Sequence, residues 1–222
     1  MYGYGAPIES PLSRKKTYPT PEKIGSWQLR CRRIQFACIF GLASLTFGLL
    51  SPNASAKQYS LTFYFGQMTS GEVASPFSQN IHLLDAYIIV AACAWKAKSF
   101  LNGALSMELE GQIGKYFGDQ KNWEMNLAVA GRWQRFPWQK RVNTSLAWGI
   151  GPSYATEVPR VETVLSGSSK QLLIYWFGEI TLGPPKSSWA GVLRIHHRSP
   201  GFGLFGTKGG ANTLGLGLKY YF

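Results

Sequence analysis

His197 and Ser199, with Arg198 between them, are the side chains whose types and spacing could do chemistry. On an extended strand, residues two apart share a face, close enough for an imidazole to accept a hydroxyl proton. A serine activated in this way attacks carbonyl carbon, so the chemistry within reach is acyl transfer. Metal chemistry is not expected. The three histidines have no clustered Cys or Asp and give no ligand spacing.

The segments around this pair must position it. Over 189–197, Trp189, Leu193, Ile195 and His197 share one face, and Val192, Arg194 and His196 share the other. Ser199 joins the face of His197 if the strand continues. Residues 212–222 alternate without a slip, with Leu214, Leu216, Leu218, Tyr220 and Phe222 on one face. Thr213, Gly215, Gly217, Lys219 and Tyr221 form the opposite face. Such a strand lies between two unlike environments, as lipid and a polar lumen would be.

The same period marks 59–66, 104–117, 122–133 and 142–154, 171–182 is read as a further strand, and 87–96 is continuously apolar with faces less defined. Glu108, Glu110 and Gln112 share one face of 104–117. These groups are costly in a dry core and ordinary in a barrel lumen, where Arg132 or Arg194 can reach them. Arg194 is expected to pair with Glu108, Glu110 or Glu179, and His196 to bond a lumen carboxylate. The count is about eight strands, which predicts an all-β, eight-stranded antiparallel transmembrane β-barrel filled by side chains. With both barrel ends of the chain on the inner side, the connections 67–86, 118–121, 156–170 and 200–211 lie outside.

Composition agrees without deciding. The chain is 45% hydrophobic, with 25 glycines and 8 tryptophans, at a mean hydropathy of −0.08. That is too polar for a helical membrane protein and suits alternating strands. The net charge of +12 points to phosphate-bearing partners. No nucleic-acid motif accompanies it, so a membrane face is favoured over nucleic acid.

Residues 1–33 form a polar, basic lead or n-region ending in Arg30, Arg32 and Arg33. Residues 34–50 are apolar, and a Ser51-Pro52-Asn53 break precedes Ala54-Ser55-Ala56. This is the order of a signal peptide, so 34–56 is expected to be the h-region with its cleavage site and 57–222 the barrel. Cys93 is then alone in the mature chain and forms no intramolecular disulfide.

His197-Arg198-Ser199, reached through Arg194-Ile195-His196-His197 and followed by the alternating last strand, resembles the lipid A 3-O-deacylase family of eight-stranded outer-membrane esterases. The resemblance is best over about 189–222. It implies that Ser199 is the nucleophile and His197 the general base, acting in the outer membrane of a Gram-negative bacterium. The substrate it implies is lipid A, the lipopolysaccharide anchor; no cofactor is implied, and a homodimer is an allowed assembly.

The chain departs from the family at two points. The family orients its histidine with a glutamate on the last strand, but no acidic residue follows Glu179 here. Asn212, in parity with Leu214, is the candidate in its place. An amide can orient an imidazole but stabilises imidazolium less than a carboxylate does. The family also follows its serine with an asparagine, where Pro200 stands here and has no N–H to donate. Gly201 is the candidate oxyanion donor, and Arg198 and Lys208 are candidates to meet lipid A phosphates at the outer rim. The competing classes are a non-catalytic structural or adhesion barrel of the same fold and a soluble exported β domain.

Overall fold

The computed structural model describes residues 57–70 and 82–222. The expected lead and signal segment, 1–56, lie outside the described residues. Eight strands follow in chain order: β1 (Tyr59–Thr69), β2 (Leu83–Phe100), β3 (Leu105–Gly118), β4 (Trp123–Trp133), β5 (Asn143–Ala155), β6 (Leu172–Gly183), β7 (Trp189–Ser199) and β8 (Ala211–Tyr221). One short helix, α1 (Arg160–Ser166), lies between β5 and β6.

Each strand pairs antiparallel with the next, and β8 returns to β1 from Ser60↔Tyr221 to Thr69↔Asn212, so the sheet closes. Closure satisfies every strand edge, which is what allows a sheet to stand in hydrocarbon. The period of two is visible as burial. In β4, Trp123, Met125, Leu127, Val129 and Trp133 are exposed, while Glu124, Asn126 and Arg132 are buried. The outer surface is thus a band of large apolar side chains around a polar interior, the inverse of a water-soluble sandwich.

β2 settles the faces that its apolar run leaves open. Ala86, Ile88, Val90, Ala92 and Ala94 point inward, and Cys93 is on the exposed face. Both β1 and β2 are longer than their alternation indicates: pairing runs on across a register shift at Gln67/Thr69 to Leu83, and across another at Lys96/Lys98 to Phe100. The stretch 156–170, which reads as a polar loop, contains α1, closed by Gly167 at φ 81°.

The middle of the lumen holds a single ion network. Arg132 Nε donates to both oxygens of Glu108 at 2.9 and 3.0 Å, and its Nη2 donates to Glu179 Oε1 at 2.8 Å. Arg194 donates to Glu110 at 2.6 and 2.9 Å and to Glu179 Oε2 from Nε at 2.9 Å. Lys219 Nζ donates to Glu179 Oε1 at 2.6 Å. The expected pairing of Arg194 is therefore observed, with Glu110 and Glu179 as its partners. Glu108, Glu110 and Glu179 balance Arg132, Arg194 and Lys219 charge for charge, which buried ions require.

Phe177 and Tyr64 fill the remaining width where a facing residue lacks a side chain. A Cβ on Gly149 would stand 2.4 Å from Phe177 Cε1, and one on Gly215 would stand 2.7 Å from Tyr64 Cδ2. Phe177 in turn covers Arg194, whose guanidinium carbon is 4.1 Å from the ring centroid.

Glu179 is the shared carboxylate of the network. Glu179→Ala leaves three buried cations short of their counter-charge and is expected to cost about 3–5 kcal/mol of stability. The check is urea unfolding in detergent micelles, followed by heat-modifiable gel migration. A loss below about 1 kcal/mol would contradict the role given to this residue.

Candidate active site

β7 runs through Ser199, so the strand does continue far enough to carry both chemical residues. His197 and Ser199 lie on its half-buried outer face, and His196 and Arg198 are buried within the lumen. The pair is at the barrel end that carries α1 and the 200–210 connection. Register brings in the neighbouring strands, with His197 opposite Asn212 of β8 and Trp176 of β6, and Ser199 opposite Ile174.

His197 Nδ1 lies 2.5 Å from Asn212 Oδ1. An amide oxygen only accepts, so in this bond Nδ1 donates, which in the neutral imidazole leaves Nε2 without a proton. The Trp176 ring packs on the imidazole, with centroids 4.7 Å apart. Asn212 is buried although its strand parity is outward, so the histidine is oriented from a sheltered position rather than from open surface. Nothing in the alternation of β6 singles out Trp176. Its role comes from cross-strand register, which sequence parity does not contain.

Ser199 Oγ accepts a hydrogen bond from Gly201 N–H at 3.2 Å. Gly201 sits at φ 64°, in the left-handed region that glycine enters without steric cost. Its N–H therefore points at the serine oxygen, next to any carbonyl that oxygen could attack. Lys208 is exposed on the same connection, and its backbone N–H is bonded to Ser168 Oγ at 3.2 Å.

Arg198 is not at the outer rim, and the expectation that it meets lipid phosphates is corrected here. Its side chain is fully buried because its parity is that of Arg194 and His196. Nη1 donates to Glu162 Oε1 at 3.0 Å, and Nη2 donates to the Lys170 and Gln171 carbonyls at 3.1 and 2.8 Å. Its guanidinium is thus committed to α1 and the start of β6.

Beside it, His196 Nε2 is 2.8 Å from Glu124 Oε1 and Nδ1 is 2.7 Å from the Tyr64 hydroxyl. This is the lumen carboxylate contact expected of His196. α1 therefore plugs the barrel mouth, with Glu162 on Arg198 and Val161 against the buried cluster containing Tyr64, Ile88 and Tyr116. Glu162 was missed as a site-supporting residue. The available signal was one carboxylate in a short helical stretch, V-E-T-V-L, within an otherwise polar loop.

Neither a family model nor a curated protein matches the sequence. Among solved structures, the barrel is similar to that of the outer membrane enzyme PagL, with a TM-score of 0.53 and 12% identity. The match covers 72% of this chain and 98% of that one. At this identity the likeness establishes a common fold. The resemblance noted in the sequence to the lipid A 3-O-deacylase family of eight-stranded barrels holds at the level of the fold.

Burial raises the Glu162 carboxyl to about 7, with Arg198 and the Ser169 hydroxyl pulling it back and Glu124 adding to the rise. A carboxyl raised in the folded state binds its proton more readily there than in the opened chain. Its contribution is therefore complete below the ordinary value of 4.5 and is lost as pH rises through about 7. Amide exchange over 160–171, corrected for intrinsic rates, should show protection falling across that interval. In Glu162→Gln the same profile should be flat. An equal slope in both proteins would show that Glu162 does not set it.

Proposed function

We propose that the barrel is an outer-membrane esterase that removes an ester-linked acyl chain from lipid A. The observation that carries the proposal is the short His197–Asn212 hydrogen bond, which leaves Nε2 unprotonated on the outward face that also carries Ser199. A nucleophile on the outer wall of a barrel, at one end of the apolar band, is suited to a substrate that is itself a membrane lipid. A water-soluble ester would gain nothing from that placement. The fold shared with an outer membrane enzyme supports the location.

In the proposed reaction Ser199 Oγ gives its proton to His197 Nε2 and bonds to the acyl carbonyl carbon. The carbonyl oxygen takes the negative charge, and Gly201 N–H, already 3.2 Å from Oγ, is the nearby donor. Collapse breaks the ester C–O bond, and the imidazolium returns its proton to the departing sugar oxygen. Water, deprotonated by His197, then hydrolyses the acyl-serine, freeing the fatty acid and restoring the serine hydroxyl. Asn212 holds the imidazole in the required tautomer but adds no negative charge to stabilise the imidazolium, so a slow enzyme is expected. Lys208, exposed on the 200–210 connection, is the proposed contact for a lipid A phosphate. The segment 34–56 is proposed to direct export and to be removed.

The deciding experiment is mass spectrometry of lipid A from Gram-negative cells expressing the chain or its Ser199→Ala variant. Loss of one acyl chain is expected with the former and none with the latter. Unchanged lipid A from cells holding the folded wild-type barrel would favour the non-catalytic barrel. Asn212→Asp places a carboxylate where the amide now sits and is expected to raise turnover about tenfold or more, with KM little changed. This would be read as initial rates on purified lipid A in detergent. A variant slower than wild type would show that Asn212 is not the orienting group.

A further inference from the structure

The barrel end opposite His197 and Ser199 carries a charge pattern that the esterase chemistry does not use. Lys57 precedes β1, and Lys96 and Lys98 close β2. Arg135, Lys140 and Arg141 lie in the β4–β5 turn, and Lys186 lies in the β6–β7 turn. No Asp or Glu side chain occurs in 57–60, 95–107, 131–146 or 180–190. The other end is mixed, with Asp85, Asp119 and Glu157 exposed among Lys121, Arg160 and Lys208.

Among the described residues, Lys57, Arg135 and Lys98 are held by carbonyls or a ring. Lys57 Nζ donates to the Ser187 carbonyl at 3.0 Å, and Arg135 Nη2 donates to the Leu101 and Asn102 carbonyls at 3.1 and 3.2 Å. Lys98 Nζ lies 5.3 Å above the Phe100 ring. Aromatic rings stand beside them at the strand ends. Phe136 and Trp138 stack with centroids 5.3 Å apart, and Trp138 is half exposed. Trp189, Tyr220, Phe222 and Tyr59 follow one another at 4.7, 5.9 and 5.9 Å across β7, β8 and β1. Half-exposed aromatic rings mark the level where hydrocarbon meets headgroup, and cations just beyond them stand at the depth of lipid phosphates.

We infer that this basic rim is a docking surface for anionic phospholipid headgroups of the inner leaflet, which hold the barrel's non-catalytic end at the membrane interface. The inference rests on the outer-membrane reading above and is independent of catalysis. The rim offers cations from the end of β2, two separate turns and the segment before β1, so several headgroups are bound around the circumference rather than one in a pocket.

The test reconstitutes the full chain in nanodiscs of phosphatidylcholine containing about one fifth phosphatidylglycerol and reads the retained lipid shell by native mass spectrometry. The wild type is expected to enrich phosphatidylglycerol about fivefold or more over the bulk lipid. Lys98→Gln/Lys140→Gln/Arg141→Gln/Lys186→Gln should lose that enrichment. Lys115→Gln/Lys121→Gln/Arg160→Gln/Lys170→Gln, with the same loss of charge at the other end, should keep it. Heat-modifiable migration establishes that each variant is folded, and the pair Lys140→Gln/Arg141→Gln serves if the first set does not fold. Enrichment that survives the first set, or is lost equally in the second, overturns the inference. A wild-type chain that does not enter the bilayer overturns the membrane reading as well, whereas an inserted chain with an unselective shell overturns this inference alone.

Discussion

A carboxylate buried in the middle of the lumen, Glu179, accepts hydrogen bonds from Arg132, Arg194 and Lys219. These residues come from four different strands, β4, β6, β7 and β8. These side chains are buried, so each charge must find its partner on another strand. The network consequently ties non-neighbouring strands across the barrel, beyond the ladder bonds between neighbours. Everything outside the lumen depends on that tie, because a slip of two residues would leave the apolar outer band intact.

The same alternation places the chemical residues outside and their supports inside. His196 and Arg198 are drawn into the lumen by Glu124 and Glu162, and this fixes the outward direction of His197 and Ser199. The site is shallow and built on one sheet face, with Asn212 and Trp176 supplied by the two flanking strands. Rigidity at such a site comes from beneath it. α1 matters for this reason: its carboxylate closes over Arg198, the residue between the histidine and the serine.

The two barrel ends differ in what they can meet. One carries the Ser-His pair, the plugging helix and interspersed charges of both signs. The other carries a run of cations among aromatic rings. In a membrane such an asymmetry sets orientation, because the leaflets differ in headgroup chemistry while the hydrocarbon between them does not.

Much of the fold was legible in the sequence because a strand between lipid and lumen must alternate, and alternation survives in one dimension. The parity of 189–197 and 212–222 gave the faces of His197, Arg194, His196 and Asn212. It also contained the burial of Arg198, which the rim expectation overlooked by treating a charge near a loop as solvated. Register, by contrast, is a relation between two strands. That His197 faces Asn212 on one side and Trp176 on the other was decided only when the sheet closed. The burial of Glu162 was decided there as well, since a carboxylate in a polar loop carries no mark of the arginine it will find until the barrel mouth brings β7 beneath α1. Sequence fixes what each residue offers and which face it takes, and closure of the sheet chooses its partners.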